Sequence, residues 1–327
     1  MSILVLGGAG YIGSHTVYEL INIGKSVVIV DNLSTGHTKS IHPSAKFYEG
    51  DIRDRKFLDN VFANEDVEGI MHFAASSVIS ESMANPIKYY DNNVCATKVL
   101  LESMLANNID KIVFSSSASV YGDRNHVPLL ESDESKPKNV LGETKLVAEN
   151  MFKWADKAHS IKYVSMRYFN ACGAHIFGNI GEDHRPETHL IPLIMQVANG
   201  KREFVSIYGD DYNTPDGTCI RDYIHVTDLA KAHILALDYL IGGGQSDVFN
   251  FGNGIGFSVM DVIKYAHIIT GHPIPTKIEP RRVGDPARLI ASSAKAKEIL
   301  KWEPKSSQLD TIIQTAWKWH SSYPNGY

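Results

Sequence analysis

The stretch Gly7-Gly8-Ala9-Gly10-Tyr11-Ile12-Gly13 decides the reading of this 327-residue chain. It follows a continuous apolar run, Ile3 to Leu6, and opens a segment of helical periodicity from Tyr11 to Ile23 that stops at Gly24. A strand, a glycine turn and a helix are therefore predicted in that order. Glycines let the backbone turn tightly and let its N–H groups approach a pyrophosphate, while the helix N-terminus adds partial positive charge. Gly7, Gly10 and Gly13 fit GxxGxxG, and Gly8, Gly10 and Gly13 also fit GxGxxG. The next strand, Val27 to Val30, is closed by Asp31. A carboxylate about 20 residues past such glycines accepts from adenosine ribose hydroxyls and repels a 2′-phosphate, so NAD is expected rather than NADP.

Outward from this unit the pattern repeats. Gly69 to Phe73, Lys111 to Ser115 and Tyr163 to Arg167 read as strands. Arg53 to Ala63, Ile87 to Ala106 and Leu141 to Ala158 read as helices. Apolar strands with helical crossovers predict an α/β fold, a Rossmann-type doubly wound parallel sheet. After Asn170 the pattern loosens. Gly178 to Thr188, Tyr208 to Thr218, Gly252 to Gly256 and Pro273 to Arg282 are rich in turn residues. The expected organisation is a dinucleotide-binding domain over 1–170, with later segments returning to it, and a smaller α/β substrate lobe over 171–327.

Composition excludes other classes. With 32 basic and 37 acidic residues the formal charge is -5, which offers no footprint for nucleic acid or an anionic membrane. Three cysteines without CxxC spacing argue against a disulfide framework. The N-terminus shows no secretory pattern, and no apolar run approaches the roughly 20 residues of a membrane span. A reducing, cytoplasmic setting is expected. Among the 14 histidines, His184 and His189 flank Arg185-Pro186-Glu187-Thr188; five residues with a proline between is not a helical ligand pair, so no metal is expected. His72 follows a strand and reads as core or as a neighbour of the cofactor. Trp302, Trp317 and Trp319 read as packing residues.

Further segments carry a resemblance. They are Gly50-Asp51-Ile52-Arg53, Met71-His72-Phe73-Ala74-Ala75, Tyr90-Asp91-Asn92-Asn93-Val94, Phe114-Ser115-Ser116-Ser117-Ala118-Ser119-Val120-Tyr121-Gly122, Arg167-Tyr168-Phe169-Asn170 and Arg221-Asp222-Tyr223-Ile224-His225-Val226. In order and spacing they resemble the extended short-chain dehydrogenase/reductase family and, within it, the UDP-glucose 4-epimerases. The resemblance implies interconversion of UDP-galactose and UDP-glucose: the sugar 4-hydroxyl loses a proton, C4 loses a hydride to NAD, and the ketosugar turns before the hydride returns. It also implies a tyrosine one helical turn before a lysine, on the same helix face.

Carried over residue by residue, Ser117 resembles the hydroxyl that bonds the sugar and Lys145 the lysine. Leu141 stands where the tyrosine belongs, within Asn139-Val140-Leu141-Gly142-Glu143-Thr144-Lys145. Leucine carries no ionisable proton, so a loss of about 10²–10⁴-fold is expected unless another group substitutes. Ser117 and Lys145 are the near candidates and Tyr121 the remote one. A catalytically silent NAD/UDP-sugar binder, or an epimerase acting on another sugar, stays open. A dehydratase is not favoured, because Ala118 and Ser119 occupy the places of its Asp-Glu pair.

The resemblance implies cofactor contacts at Gly7, Gly10, Tyr11, Ile12, Gly13, Asp31, Asn32, Asp51, Ile52, Phe73, Ala74, Ala75, Asn92, Ser115, Lys145 and Tyr168. It implies UDP-sugar contacts at Ser117, Asn170, Leu190, Tyr208, Arg221, Tyr223, Arg282 and Asp285. Arginine forks suit a diphosphate and Asp285 suits ribose hydroxyls. Leu289 is expected near the pocket that sets sugar size. Leu100, Leu101, Met104 and Leu105, and Leu146, Met151, Phe152 and Ala155, form helical stripes; such stripes are usually core, and the resemblance places these helices in a homodimer.

Overall fold

The computed structural model describes residues 1–124, 126–282 and 285–327. The first half builds β1 (Ser2–Leu6), α1 (Tyr11–Asn22), β2 (Val27–Asp31), β3 (Lys46–Glu49), α2 (Arg55–Asn64), β4 (Val67–His72), α3 (Ala96–Ala106), β5 (Lys111–Ser115), α4 (Val140–His159) and β6 (Lys162–Tyr168). The second half adds α5 (Leu190–Ala198), α6 (Val226–Ile241), β7 (Asp247–Phe251), α7 (Val259–Thr270) and α8 (Leu309–Ser322). The main sheet has seven strands in the order β7-β6-β5-β4-β1-β2-β3. Every neighbouring pair in it is parallel.

The sheet is covered on both faces, which is why β1 and β2 are apolar throughout rather than alternating. Ile3 and Val5 point into one core with Val17, Leu20, Leu229, Leu237 and Trp302. Leu4 and Leu6 point into the other with Leu58, Phe62, Leu100, Met104 and Phe152. That division follows from the two-residue period of a strand.

Both α6 and β7, which lie beyond residue 170, complete this layer. The second lobe has its own core, in which Ile191 and Met195 of α5, Val262 of α7 and Ile312 of α8 pack with Cys172 and Tyr223 from two short strands. Its strands are short: Asn170–Cys172 beside Tyr223–His225, Ile220–Arg221 between Phe257–Ser258 and Arg288–Leu289, and Val205–Tyr208 beside Thr276–Glu279.

Three expectations shift. The helix expected from Arg53 starts at Arg55, because the Asp54 side chain caps it by accepting from the N–H groups of Lys56 and Phe57. The single helix expected over Ile87 to Ala106 is three pieces, Pro86–Tyr89, a π-helical turn at Tyr90–Cys95, and α3. Third, β3 escaped prediction: it is an edge strand whose side chains are partly exposed, so it lacks an apolar run. Trp302 and Trp319 are buried packing residues, as expected. Among the described residues no helix is long and apolar enough to cross a membrane.

Candidate active site

The glycine loop joins β1 to α1, and each glycine meets a different constraint. Gly7 has φ +80°, and a Cβ there would lie 2.6 Å from the Ala74 backbone nitrogen. A Cβ on Gly13 would lie 2.1 Å from the Gly7 carbonyl oxygen, so the helix could not close on the loop. Gly10 caps α1 and would meet only that carbonyl, at 3.4 Å, which leaves its outer side open to a ligand. Phe73 and Ala74, at the end of β4, both donate backbone N–H to Leu6 and close the floor of the loop. Ala75 follows, half-buried, and Ile12 faces the core from the first turn of α1.

Asp31 ends β2 with its carboxylate buried, accepting from Ala9 N–H at 2.9 Å and Leu33 N–H at 2.8 Å. Burial raises its pKa, and those two donors oppose the rise. Asn32 donates to Asp51, and Arg53 bridges Asp51 to Asp91 at the rim. The Arg53 hydrogen bond is the largest influence holding Asp51 down to about 2. Ile52 beside it is buried in the core.

Opposite the loop, α4 begins at the Asn139 cap, whose side chain accepts from Gly142 N–H at 2.8 Å. A Cβ on Gly142 would lie 2.3 Å from the Ser119 carbonyl oxygen, so the helix start is pressed onto the turn that carries Ser117. Ser117 heads that turn and accepts from Ser119 N–H at 3.1 Å. Leu141 is 5% exposed and Lys145, one turn on, is also 5% exposed. Lys145 donates to the Ser115 carbonyl at 2.6 Å, and burial lowers its pKa to about 8. The Ser115 hydroxyl is hydrogen-bonded to the Tyr168 hydroxyl, and burial raises the pKa of Tyr168.

The suggestion that Tyr121 could stand in for the missing tyrosine is corrected by the structure. Its ring is fully buried and its hydroxyl donates to Asn250 at 2.6 Å, while burial raises its pKa. Its ring also lies 4.8 Å from the Arg167 guanidinium. Arg167 in turn forks onto Glu149 at 2.6 and 3.0 Å, and Ser116 donates to the same carboxylate. This buried group supports the site from beneath. Asn93, one residue beyond the expected Asn92, bonds the Ser76 backbone and the Thr144 hydroxyl, while Asn92 donates to the Ser76 hydroxyl. The π-helical turn produces this arrangement, and a plain helical reading has no signal for it.

In the second lobe the expected residues gather by pairs. Arg221 lies 3.7 Å from Asp285 and donates to the Pro286 carbonyl at 2.8 Å. The exposed Arg282 guanidinium sits 3.9 Å over the Tyr208 ring. Asn170 pairs with Tyr223 in the parallel ladder, and Tyr223 is buried in the lobe's core. Leu190 opens α5, half-buried against that core, and Leu289 pairs with Arg221.

The loop before α5 meets the cofactor side. Tyr11 donates its hydroxyl to Gly173 at 2.7 Å, and its ring lies edge-on to His184 at 6.3 Å. Glu182, His184, Glu187 and His189 converge there, although the spacing of the two histidines gave no reason to expect it. Burial alone would lower both imidazoles, but the Glu182 and Glu187 carboxylates beside His184 raise it to about 9. The Glu182 charge is the main influence raising His189 to about 10.

Residues 3–252 match the model of the NAD dependent epimerase/dehydratase family. The chain belongs to the NAD dependent epimerase/dehydratase family. Relatives in it include a protein named UDP-glucose 4-epimerase from Halalkalibacterium halodurans, 55% identical over 100% of this chain and 98% of its own length. Another with that name, from Lacticaseibacillus casei, is 54% identical over 100% and 99%. A crystal structure of a UDP-glucose 4-epimerase from Bifidobacterium longum, in complex with NAD+ and UDP, superposes with TM-score 0.95 at 40% identity and full coverage of both chains. The family's cofactor fits the residues present: the open face of Gly10 above a backbone-lined cradle, with the Asp31 carboxylate at the end of β2, is the arrangement a dinucleotide needs.

Proposed function

We propose that this chain is built to interconvert UDP-galactose and UDP-glucose at C4, and that Leu141 slows its proton-transfer step. The observation that carries the reading is the pressing of α4 onto the Ser117 turn, which sets Lys145 and position 141 on one buried face beside β5. NAD, when bound, supplies a hydride acceptor for C4 and the donor for its return. Ser117 offers its hydroxyl to the sugar. Buried Lys145 carries a charge that is easily lost near neutral pH, so it holds or releases a proton at Nζ.

Arg221 and Arg282 suit the diphosphate, Asp285 the uridine ribose and Tyr208 the uracil. With Leu190, Asn170 and Tyr223 they line the sugar-nucleotide side. Relatives named UDP-glucose 4-epimerase at more than half identity support this substrate pair. We place the enzyme in the cytoplasm as a homodimer, with no nucleic-acid partner. Within the helical stripes Leu100, Met104 and Phe152 are core, while Leu105 and, on the same helix as Phe152, Trp154 are exposed.

A second reading, a silent NAD/UDP-sugar binder, is favoured by Tyr121 being engaged elsewhere and by the apolar side chain at 141. One substitution separates the two. Leu141→Tyr is expected to raise UDP-galactose turnover by at least about 10²-fold. A folded, NAD-bound variant with no gain would overturn the epimerase reading. Measurable turnover of the unmodified chain, or growth of the NADH absorbance band on adding UDP-glucose, would eliminate the silent one.

A further inference from the structure

We infer that Glu182, His184, Glu187 and His189 form a site for one divalent transition-metal ion, of the zinc class, separate from the sugar chemistry. One donor atom from each lies within 4.8 Å of all the others. The imidazole-to-carboxylate separations are 3.3 and 3.7 Å for His184 Nδ1 and 2.9 and 3.1 Å for His189 Nδ1. Four ligands held about 2.0–2.1 Å from a tetrahedral zinc stand about 3.3 Å from one another; the four imidazole–carboxylate separations bracket that value, and the remaining pairs lie within 4.8 Å. The set is mixed nitrogen and oxygen, which suits zinc, cobalt or manganese better than calcium or magnesium.

Three further features favour an ion over simple pairing. His184 Nδ1 is buried and makes no hydrogen bond, although it points at both carboxylates. Among the described residues neither Glu182 nor Glu187 pairs with a lysine or arginine; nearby Arg185 turns to Asp183. Glu187 is oriented as a ligand carboxylate would be, because Thr188 and His189 donate their backbone N–H groups to its Oε1 at 2.7 and 2.9 Å. Charge balances throughout. Two carboxylates offset the charge of a divalent ion, and the two imidazoles bind it in their neutral form.

The site's place gives it a consequence. Its residues run directly into Leu190 at the start of α5, and the His184 ring abuts Tyr11 of the glycine loop. A bound ion would hold this loop between the cofactor turn and the sugar-nucleotide lobe.

The test uses the full chain, stripped with a chelator and titrated with Co²⁺ and then Zn²⁺. One equivalent of Co²⁺ is expected to bind saturably with a visible d–d band that Zn²⁺ bleaches, and Zn²⁺ is expected to raise the melting temperature. Glu182→Gln/Glu187→Gln and His184→Asn/His189→Asn are expected to lose at least about tenfold in affinity each, with circular dichroism reporting whether they fold. Anomalous diffraction from zinc-soaked crystals of the unmodified chain stands independently of the variants. A peak between the four side chains supports the site. No peak, no saturable binding, or undiminished binding by folded double variants would overturn it in favour of a metal-free ion-pair quartet.

Discussion

Position 141 separates what the scaffold holds from what it can do. Lys145 sits buried one turn away, poised to lose its proton near pH 8. A phenol at 141 would lie on the same helix face as that ammonium, which would favour its ionised form. The gain from Leu141→Tyr should therefore be absent in Leu141→Phe, which restores ring volume without a hydroxyl; parallel turnover assays on the two variants check this. Position 141 and Lys145 could be related in the sequence because one helical turn separates them, whereas Ser117, about two dozen residues earlier, was singled out only by the family resemblance. The fate of Tyr121 was not readable there, since its partner Asn250 lies 129 positions away. The convergence of Glu182, His184, Glu187 and His189 was hidden for another reason: a turn, not a helix face, brings them together, and helical spacing is the wrong ruler for a turn.

Between elements, two joints carry testable weight. The first is the glycine loop against α1. Gly13→Ala drives a methyl against the Gly7 carbonyl, so the variant should retain at least about tenfold less NAD through purification and lose about 1–3 kcal/mol of stability. Released-cofactor absorbance and urea unfolding read the two effects. The second joint is the buried Arg167–Glu149 pair that ties β6 to α4. Glu149→Ala strands the guanidinium and should cost about 3–5 kcal/mol, whereas Glu149→Leu combined with Arg167→Met should recover much of that loss. Urea midpoints of the single and double variants decide it; an equal loss in both would mean the pair is no more than packing. The strands and helices around these joints were legible from apolar runs and periodicity. The π-helical turn was not, because one extra residue barely disturbs an apolar stripe. The two-residue strands of the second lobe are too short to carry any period.

For the molecule as a whole, acid is the expected weakness. His15 and His72 are pushed down to about 3, and His225 and His233 to about 4, in each case chiefly by burial. Unfolding restores each to its ordinary 6.5, so the unfolded chain binds more protons between those values. What these four histidines contribute is therefore full above pH 6.5 and falls as pH drops below it, by about 1.4 kcal/mol per histidine for each unit, whereas His184 and His189, raised to about 9 and 10, lose their contribution as pH rises. Urea unfolding between pH 7.5 and 5 should show this slope, and His233→Gln should flatten it.

The interleaving of the two lobes also governs how the chain comes into being. β7 closes the sheet beside β6, yet it is translated only after the first part of the second lobe has emerged. Until then a nascent chain carries β6 as a bare edge of unpaired N–H and C=O groups, the kind of template on which other chains nucleate. Splitting the gene after residue 170 would make that transient condition permanent. The joint between the lobes is thus no seam along which the protein could be divided, and the exposed edge is where a chaperone would be needed most.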